Sequence, residues 1–124
     1  MAAPPATGAL PRVAYRADLD ADVRSWIDRH LPDWQRRYEE LHAHPELSLA
    51  EHATAALVAA ELGRAGYRVT EGVGGTGVVG VLANGAGPVV LVRGDMDALP
   101  VREETGLAYA STVTATLPDG NATG

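Results

Sequence analysis

The sequence of 124 residues contains no cysteine and no phenylalanine, and aromatic residues make up only 5% of it. Without cysteine the chain has neither a disulfide framework nor a thiolate metal site, which suits a reducing compartment such as the cytoplasm. The hydrophobic content of 46% is ordinary for a globular protein. A core must therefore be built mainly from Ala, Val and Leu.

Basic residues are also scarce, and the formal net charge is −6. This balance argues against nucleic acid or an anionic membrane surface as a partner. No apolar run approaches the ~20 residues that span a bilayer. The N-terminus lacks the basic start and apolar segment of a secretory signal. We expect a cytoplasmic domain that binds neither nucleic acid nor membrane.

The beginning of the chain divides into a tail and two predicted helices. Residues 1–17 are rich in Ala and Pro and show no periodicity, so we expect a disordered tail before a domain over residues 18–124. Apolar residues at three- and four-residue spacing predict a helix from Asp18 to His30. Pro32 predicts a break there, followed by a second helix from about Asp33 to Ala43.

Two further motifs organise the middle of the chain. Ser48 and Glu51 form the pattern of a capping box, which predicts a third helix that ends before Gly66. Residues 72–77 spell G-x-G-x-x-G, but a strand over Val78–Leu82 follows them. A dinucleotide fingerprint requires a helix at that point, so a glycine-rich turn is the better interpretation.

Four consecutive aliphatic residues, Val89–Val92, predict a strand buried on both faces. A glycine-rich turn separates this run from Val78–Leu82, which predicts that the two strands pair as an antiparallel hairpin. A short strand at Tyr67–Thr70 precedes them. The predicted fold class is therefore α/β, with N-terminal helices followed by strands of a mixed sheet.

Two acidic residues and two histidines are the candidate functional groups. Asp95 and Asp97 follow the aliphatic run at a spacing that points both side chains the same way from an extended chain. Open α/β sheets place their chemistry at such strand ends, although the acids could equally cap turns. His42 and His44 are possible metal ligands, but residues two apart on a helix do not face one point. Capping of the last helical carbonyls is the alternative role.

Four blocks of sequence occur in a characteristic order: Leu41–Ser48, Gly74–Gly80, Asp95–Val101 and Glu104–Gly106. Together they resemble the start of the N-acyl-amino-acid amidohydrolases, the branch of hippurate hydrolase and the plant auxin-conjugate hydrolases. This branch lies within the zinc aminoacylase/carboxypeptidase superfamily. The resemblance covers about Trp34–Gly120 and implies the front part of an α/β/α metallohydrolase catalytic domain.

The resemblance also implies a chemistry. Relatives use divalent metal ions, zinc or manganese, to hydrolyse N-acyl-amino acids, and the full-length relatives are expected to be homo-oligomers. Asp97 matches an aspartate that orients the metal site. Asp95 stands where the wider superfamily has a histidine ligand, whereas this branch takes a ligand from a cysteine further along, so the orienting role of Asp97 is a better assignment than a ligand role for Asp95. His42 and His44 would lie near the site.

The ligand segments of the family have no counterpart up to Gly124. We therefore expect an N-terminal fragment that alone neither binds zinc tightly nor hydrolyses N-acyl-amino acids. Two alternatives remain. An Asp-nucleophile phosphatase would use a hydrophobic strand followed by Asp-x-Asp, with Asp95 as the nucleophile and a magnesium ion. A non-catalytic remnant would fold without responding to metal.

Overall fold

The computed structural model describes residues 16–116 and 122–123. In these residues the order of elements is α1 (Ala17–Ala43), α2 (His52–Arg64), β1 (Arg68–Val73), β2 (Gly77–Val81), β3 (Ala115–Thr116) and β4 (Ala122–Thr123). Helices followed by two small antiparallel sheets, β1 with β2 and β3 with β4, confirm the predicted α/β class.

The described residues fall into two units, residues 16–35 and the residues from Arg36 onwards. Of the predicted tail, residues 1–15 lie outside the described part of the chain, whereas Ala17 already belongs to α1. No helix in the described part combines the length and the apolar character needed to cross a membrane.

The helix α1 continues through Pro32, so the predicted break between two helices is wrong. A proline inside a helix removes its own backbone donor and crowds the preceding turn, at a cost of about 3 kcal/mol. Leu31 and Arg36, on either side of it, are good helix formers. In the first unit, Nε of Arg24 also pairs with Oδ2 of Asp20, one turn earlier, at 2.9 Å. These local preferences favour helix on both sides of the proline.

The start of α2 differs from the predicted capping box. The helix begins at His52, and its N-cap residue, Glu51, makes no side-chain capping bond. The reason lies in the preceding turn, where Leu49 takes a left-handed φ of 65°. That turn separates Ser48 from the first helical turn, and the carboxylate of Glu46 caps the helix instead.

The end of α2 follows the prediction. Gly66 adopts a φ of 85°, a left-handed conformation that glycine takes without a steric cost. Its N–H donates to the carbonyl of Gly63, and the N–H of Tyr67 donates to the carbonyl of Leu62, both at 3.0 Å. This pair of bonds is a Schellman motif, which satisfies carbonyls that a helix end would leave unpaired.

The glycine-rich stretch forms the turn between β1 and β2, as predicted. Gly72, Gly74 and Gly75 take φ values of 72°, 67° and 119°. At Gly77 an added Cβ would lie 2.3 Å from the carbonyl oxygen of Val73, so only glycine fits there. The strand β2 begins at Gly77, where a dinucleotide fingerprint would require a helix.

The hairpin packs on α2 through a second glycine. Val69 of β1 lies opposite Gly80 of β2 in the antiparallel ladder. A Cβ on Gly80 would lie 3.1 Å from side-chain carbons of Leu62 and Tyr67, so the strand approaches the end of α2 closely. This close approach joins the helix to the hairpin.

The most enclosed positions lie at the start of α2. Glu51, Thr54 and Ala55 are only 7–8% exposed. The hydroxyl of Thr76, in the hairpin turn, donates to the carboxylate of Glu51 at 2.5 Å. This bond is the main cause of a lowered pKa at Glu51. A polar contact therefore marks the point where the helix meets the turn.

The predicted pairing of Val78–Leu82 with Val89–Val92 is wrong. The strand β2 pairs with β1, and residues 89–92 form no strand. Their side chains are 81–97% exposed. An extended segment becomes a strand only when its N–H and C=O groups find a partner chain, and no described residue supplies one to this run. The predicted burial of this run on both faces is therefore wrong as well.

Candidate functional site

Asp95 and Asp97 lie on a segment without regular secondary structure and line a cavity of about 790 Å³. Among the other ionisable side chains in its wall, those of His42, Glu46 and Glu103 are engaged in hydrogen bonds. The apolar part of the wall includes Leu41, Leu47, Val58 and Leu99. Mixed polar and apolar walls are typical of small-molecule sites.

The backbone next to Asp97 is fixed to the connection between the two helices. The N–H of Ala98 donates to the carbonyl of Glu46 at 2.8 Å. Leu47 and Ala98 also form an isolated parallel bridge. This short pairing places Asp97 beside the cavity although the preceding aliphatic run has no strand partner.

The side chain of Glu46 caps the start of α2. Its two carboxylate oxygens accept the backbone N–H groups of Ala53, at 3.0 Å, and Thr54, at 2.7 Å. These donors belong to the first turn of α2, which would otherwise leave them unpaired. Burial raises the pKa of Glu46, but the bonds from Thr54 and Ala53 together outweigh it, so the pKa lies below its usual value. Glu46 therefore connects the cavity wall to α2.

The two aspartates differ in their surroundings. Asp95 pairs with Arg93 at 2.5 Å, but both side chains are more than half exposed, at 62% and 77%. Exposed pairs of this kind contribute little, commonly less than about 1 kcal/mol. Asp97 is exposed as well, and within the described part of the chain its carboxylate has no hydrogen-bond or ion-pair partner. Its oxygens are free to accept bonds.

His42 and Glu103 form an enclosed pair on the other side of the cavity. The Nε2–H of His42 donates to the Glu103 carboxylate at 2.7 Å, because a carboxylate can only accept. The same carboxylate accepts the hydroxyl of Thr105 and the backbone N–H of Ser111, the latter at 2.6 Å. These bonds, with that from His42 the largest contribution, lower the pKa of Glu103 to about 2.

Aromatic rings surround this pair. Tyr109 contacts His42 edge to face, with 5.2 Å between ring centroids, and contacts Tyr38 in the same way at 6.0 Å. Edge-to-face contacts are a favoured arrangement of aromatic rings. They hold the loop that carries Tyr109 against the last turns of α1.

His44 lies apart from this cluster. Its ring is exposed, and its Nδ1–H donates to the carbonyl of Glu40 at 2.9 Å. It does not line the cavity. The structure therefore brings His42 together with Asp95 and Asp97 around one cavity but leaves His44 at the end of the helix.

Sequence reasoning missed the roles of Glu46 and Glu103. Glu103 is 61 positions from His42, and no local pattern reveals so distant a partner. The one local signal was Thr105, whose hydroxyl two residues later is suited to bond back to the carboxylate. Glu46 stands seven and eight positions before its partners, outside the spacing of any standard cap.

The donor set of the cavity differs from that of a divalent metal site. A catalytic zinc site takes about three protein ligands. In residues 16–116 and 122–123, no group of three or more His, Cys, Asp or Glu side chains is arranged to hold a metal ion. His42, Glu46 and Glu103 are already engaged with protein partners. These residues by themselves do not fit a metal centre.

No family model matches the chain, and no solved structure matches it. It is 53% identical over 92 residues to a probable hydrolase of Synechocystis sp. and 45% identical over 80 residues to hippurate hydrolase of Campylobacter jejuni. It is 34% identical over 103 residues to IAA-amino acid hydrolase ILR1-like 6 of Arabidopsis thaliana. These matches cover 73%, 64% and 82% of this chain, but only 23%, 21% and 22% of the relatives. The chain thus spans less than a quarter of their length.

Proposed function

Several curated homologues of this chain are hydrolases, amidohydrolases among them, and from that premise we propose that it is part of a metal-dependent enzyme that hydrolyses the amide bond of small N-acyl amino acids. The names of three relatives, a hippurate hydrolase, an IAA-amino acid hydrolase and an N-acetyl-L-cysteine deacetylase, support this substrate class. The proposal places the enzyme in the cytoplasm, in keeping with the expectation from this part of its sequence. Like the family it resembles, it would act as a homo-oligomer.

The observation that carries the proposal is the state of Asp97. The carboxylates of Glu46 and Glu103 are engaged by hydrogen bonds to protein groups. Asp97 lines the same cavity, its neighbour Ala98 is held by a backbone bond, and its own oxygens have no partner in the described part of the chain. A carboxylate with free acceptors beside an anchored backbone position is suited to orient a reacting or ligating group.

A metal ion is part of the proposal because the family that this chain resembles uses divalent metal ions. When bound, zinc or manganese would polarise the scissile carbonyl and activate a water molecule. Because the described residues do not form a ligand set, we assign Asp97 an orienting role and give Asp95 none. For the same reason we expect the 124-residue chain alone neither to bind zinc tightly nor to hydrolyse an N-acyl amino acid.

The test is a chimera with a relative that has the remaining sequence. The matched residues of this chain replace the corresponding 80 residues of the Campylobacter jejuni hippurate hydrolase. Hydrolysis of hippurate is measured with added zinc or manganese, and again after a chelator. The 124-residue chain is titrated with zinc by calorimetry and assayed in parallel. We expect activity in the chimera, abolished by the chelator, and none in the chain alone.

The controls separate the alternatives. A folded, metal-loaded chimera that leaves hippurate and N-acetyl amino acids intact would contradict the proposed substrate class. Submicromolar zinc binding with hydrolysis by the chain alone would show that the metal site is misplaced. Magnesium-dependent cleavage of a phosphate ester by the chain would favour the phosphatase alternative, in which Asp95 is the nucleophile.

A further inference from the structure

The segment that follows Asp97 depends on few anchors. Residues 97–111 contain neither a helix nor a regular strand. One anchor is the bond from the N–H of Ala98 to the carbonyl of Glu46. The other is the carboxylate of Glu103, which joins this segment to His42 on α1. Residues 98–103 are therefore held at both ends.

Glu103 is built into the structure more firmly than an ordinary loop carboxylate. Its side chain is only 13% exposed. One of its oxygens accepts from His42 and Thr105, and the other accepts from the backbone of Ser111. Charge-assisted bonds of this kind are roughly twice as strong as neutral ones. The loop from residue 103 to residue 111 is thereby closed on itself and fastened to the helix.

We propose that Glu103 is a positioning residue for Asp97. By fastening the loop to His42, Glu103 restricts the movement of residues 98–103 and so holds Asp97 at the cavity wall. This inference rests on the proposed function, because the position of Asp97 matters for catalysis only if Asp97 takes part in amide hydrolysis. Glu103 itself is saturated by protein donors and does not touch the substrate in this scheme.

The chemistry of the donors decides which substitutions are informative. In Glu103→Ala three donors lose their acceptor, and a buried unpaired donor is costly. In Glu103→Gln the amide oxygen can still accept from Ser111, and the NH₂ group can face His42 if the imidazole carries its proton on Nδ1 instead. Glutamine therefore preserves the anchor only with a change of histidine tautomer, which a purely steric role would not require.

The first measurement is amide hydrogen exchange by NMR in the 124-residue chain. The amides of Ala98 and Ser111 report the two anchors, and the amide of Tyr67, bonded to Leu62, reports whether the rest of the fold is intact. We expect Glu103→Ala to speed exchange at Ala98 and Ser111 by about tenfold or more, relative to Tyr67. Glu103→Gln should retain protection at Ala98 while the ¹⁵N resonances of His42 report the Nδ1–H tautomer.

The second measurement uses the chimera with hippurate hydrolase. We expect Glu103→Ala to lower kcat by about tenfold with KM within about twofold, because positioning acts on the transition state. Glu103→Gln should recover kcat to within about threefold. The matched control is Glu71→Ala on β1, an exposed carboxylate without a hydrogen-bond partner in the described residues.

The outcomes are distinguishable. Unchanged exchange at Ala98, or unchanged kcat, in a folded Glu103→Ala variant would overturn the inference. If Glu103→Ala also loses protection at Tyr67, that variant has not folded, and Glu103→Gln then tests the inference. Full activity of Glu103→Gln with an unchanged His42 tautomer would overturn it. If the unsubstituted chimera is inactive, the proposed function fails, whereas exchange at Ala98 still decides whether Glu103 holds the segment.

Discussion

The loop of residues 103–111 and the segment of residues 89–97 differ in the exposure and the hydrogen bonding of their side chains. In the loop, Glu103 is enclosed and meets three donors. In the segment, four aliphatic side chains and the carboxylate of Asp97 are exposed and have no partners in the described part of the chain. Both regions lack regular secondary structure, so satisfied polar groups rather than helix or strand distinguish the held region from the open one.

The two aspartates of residues 89–97 should differ strongly in their effect on catalysis when each is substituted in the chimera. We expect Asp97→Asn to lower kcat by about 10- to 100-fold with little change in KM, as for groups that orient a metal site. Asp95→Asn removes only an exposed pair with Arg93 and should lower kcat by about two- to threefold at most. Steady-state kinetics with hippurate, with metal content measured for each variant, check this. Equal losses from both substitutions would contradict it.

The second prediction concerns the carboxylate that holds α2. Glu46→Ala leaves the N–H groups of Ala53 and Thr54 without their acceptor, so the free energy of unfolding should fall by about 1 kcal/mol, the usual effect of a lost helix cap. Urea denaturation of the 124-residue chain measures it. The exposed Glu71→Ala is the control, and a loss of equal size there would show that Glu46 is not a cap.

The third prediction uses pH to loosen the loop. The pKa of Glu103 is about 2 in the folded chain, below its ordinary value of 4.5. A lowered pKa means that the fold favours the charged form, so this stabilisation is complete above about pH 5 and is lost as pH falls toward 2. The urea midpoint should therefore fall with pH over that range, and less steeply in Glu103→Gln. Parallel slopes would contradict the pairing.

The smallest expected effect on stability comes from the aliphatic run. Val90 and Val92 are 81% and 88% exposed, so changing both to Lys should alter the free energy of unfolding by less than about 0.5 kcal/mol. The same change should reduce self-association of the chain, because exposed apolar edges favour it. Analytical ultracentrifugation of the double variant tests this. Lys at the exposed polar positions Thr112 and Thr114 is the matched control.

Features encoded by short stretches could be predicted from the sequence. Gly66 ends α2 because a left-handed stop suits glycine, and the glycines from Gly72 onwards form the hairpin turn. The ordered blocks of sequence indicated amidohydrolases, and the homologues confirm that resemblance. Each of these signals resides in the residues that carry it.

Features that depend on partners far away in the sequence could not be predicted. Whether Val89–Val92 forms a strand depends on a neighbouring chain, and the aliphatic pattern carries no information about it. The capping box at Ser48 failed because the left-handed turn at Leu49 intervenes. Glu103 is separated by 61 positions from the histidine that lowers its pKa, so only the folded chain shows the pair.

In the hairpin turn, glycine is required at Gly77 and at Gly74 for two different physical reasons. At Gly77 the obstacle to a side chain is space, because a Cβ would collide with the carbonyl oxygen of Val73. At Gly74 nothing lies within 4 Å of that position, and the obstacle is the φ of 67°. The second restriction is one of chirality: an amino acid of D configuration favours positive φ, whereas an L residue is strained there. Chemical synthesis with D-alanine at position 74 would therefore preserve the turn, and L-alanine would strain it.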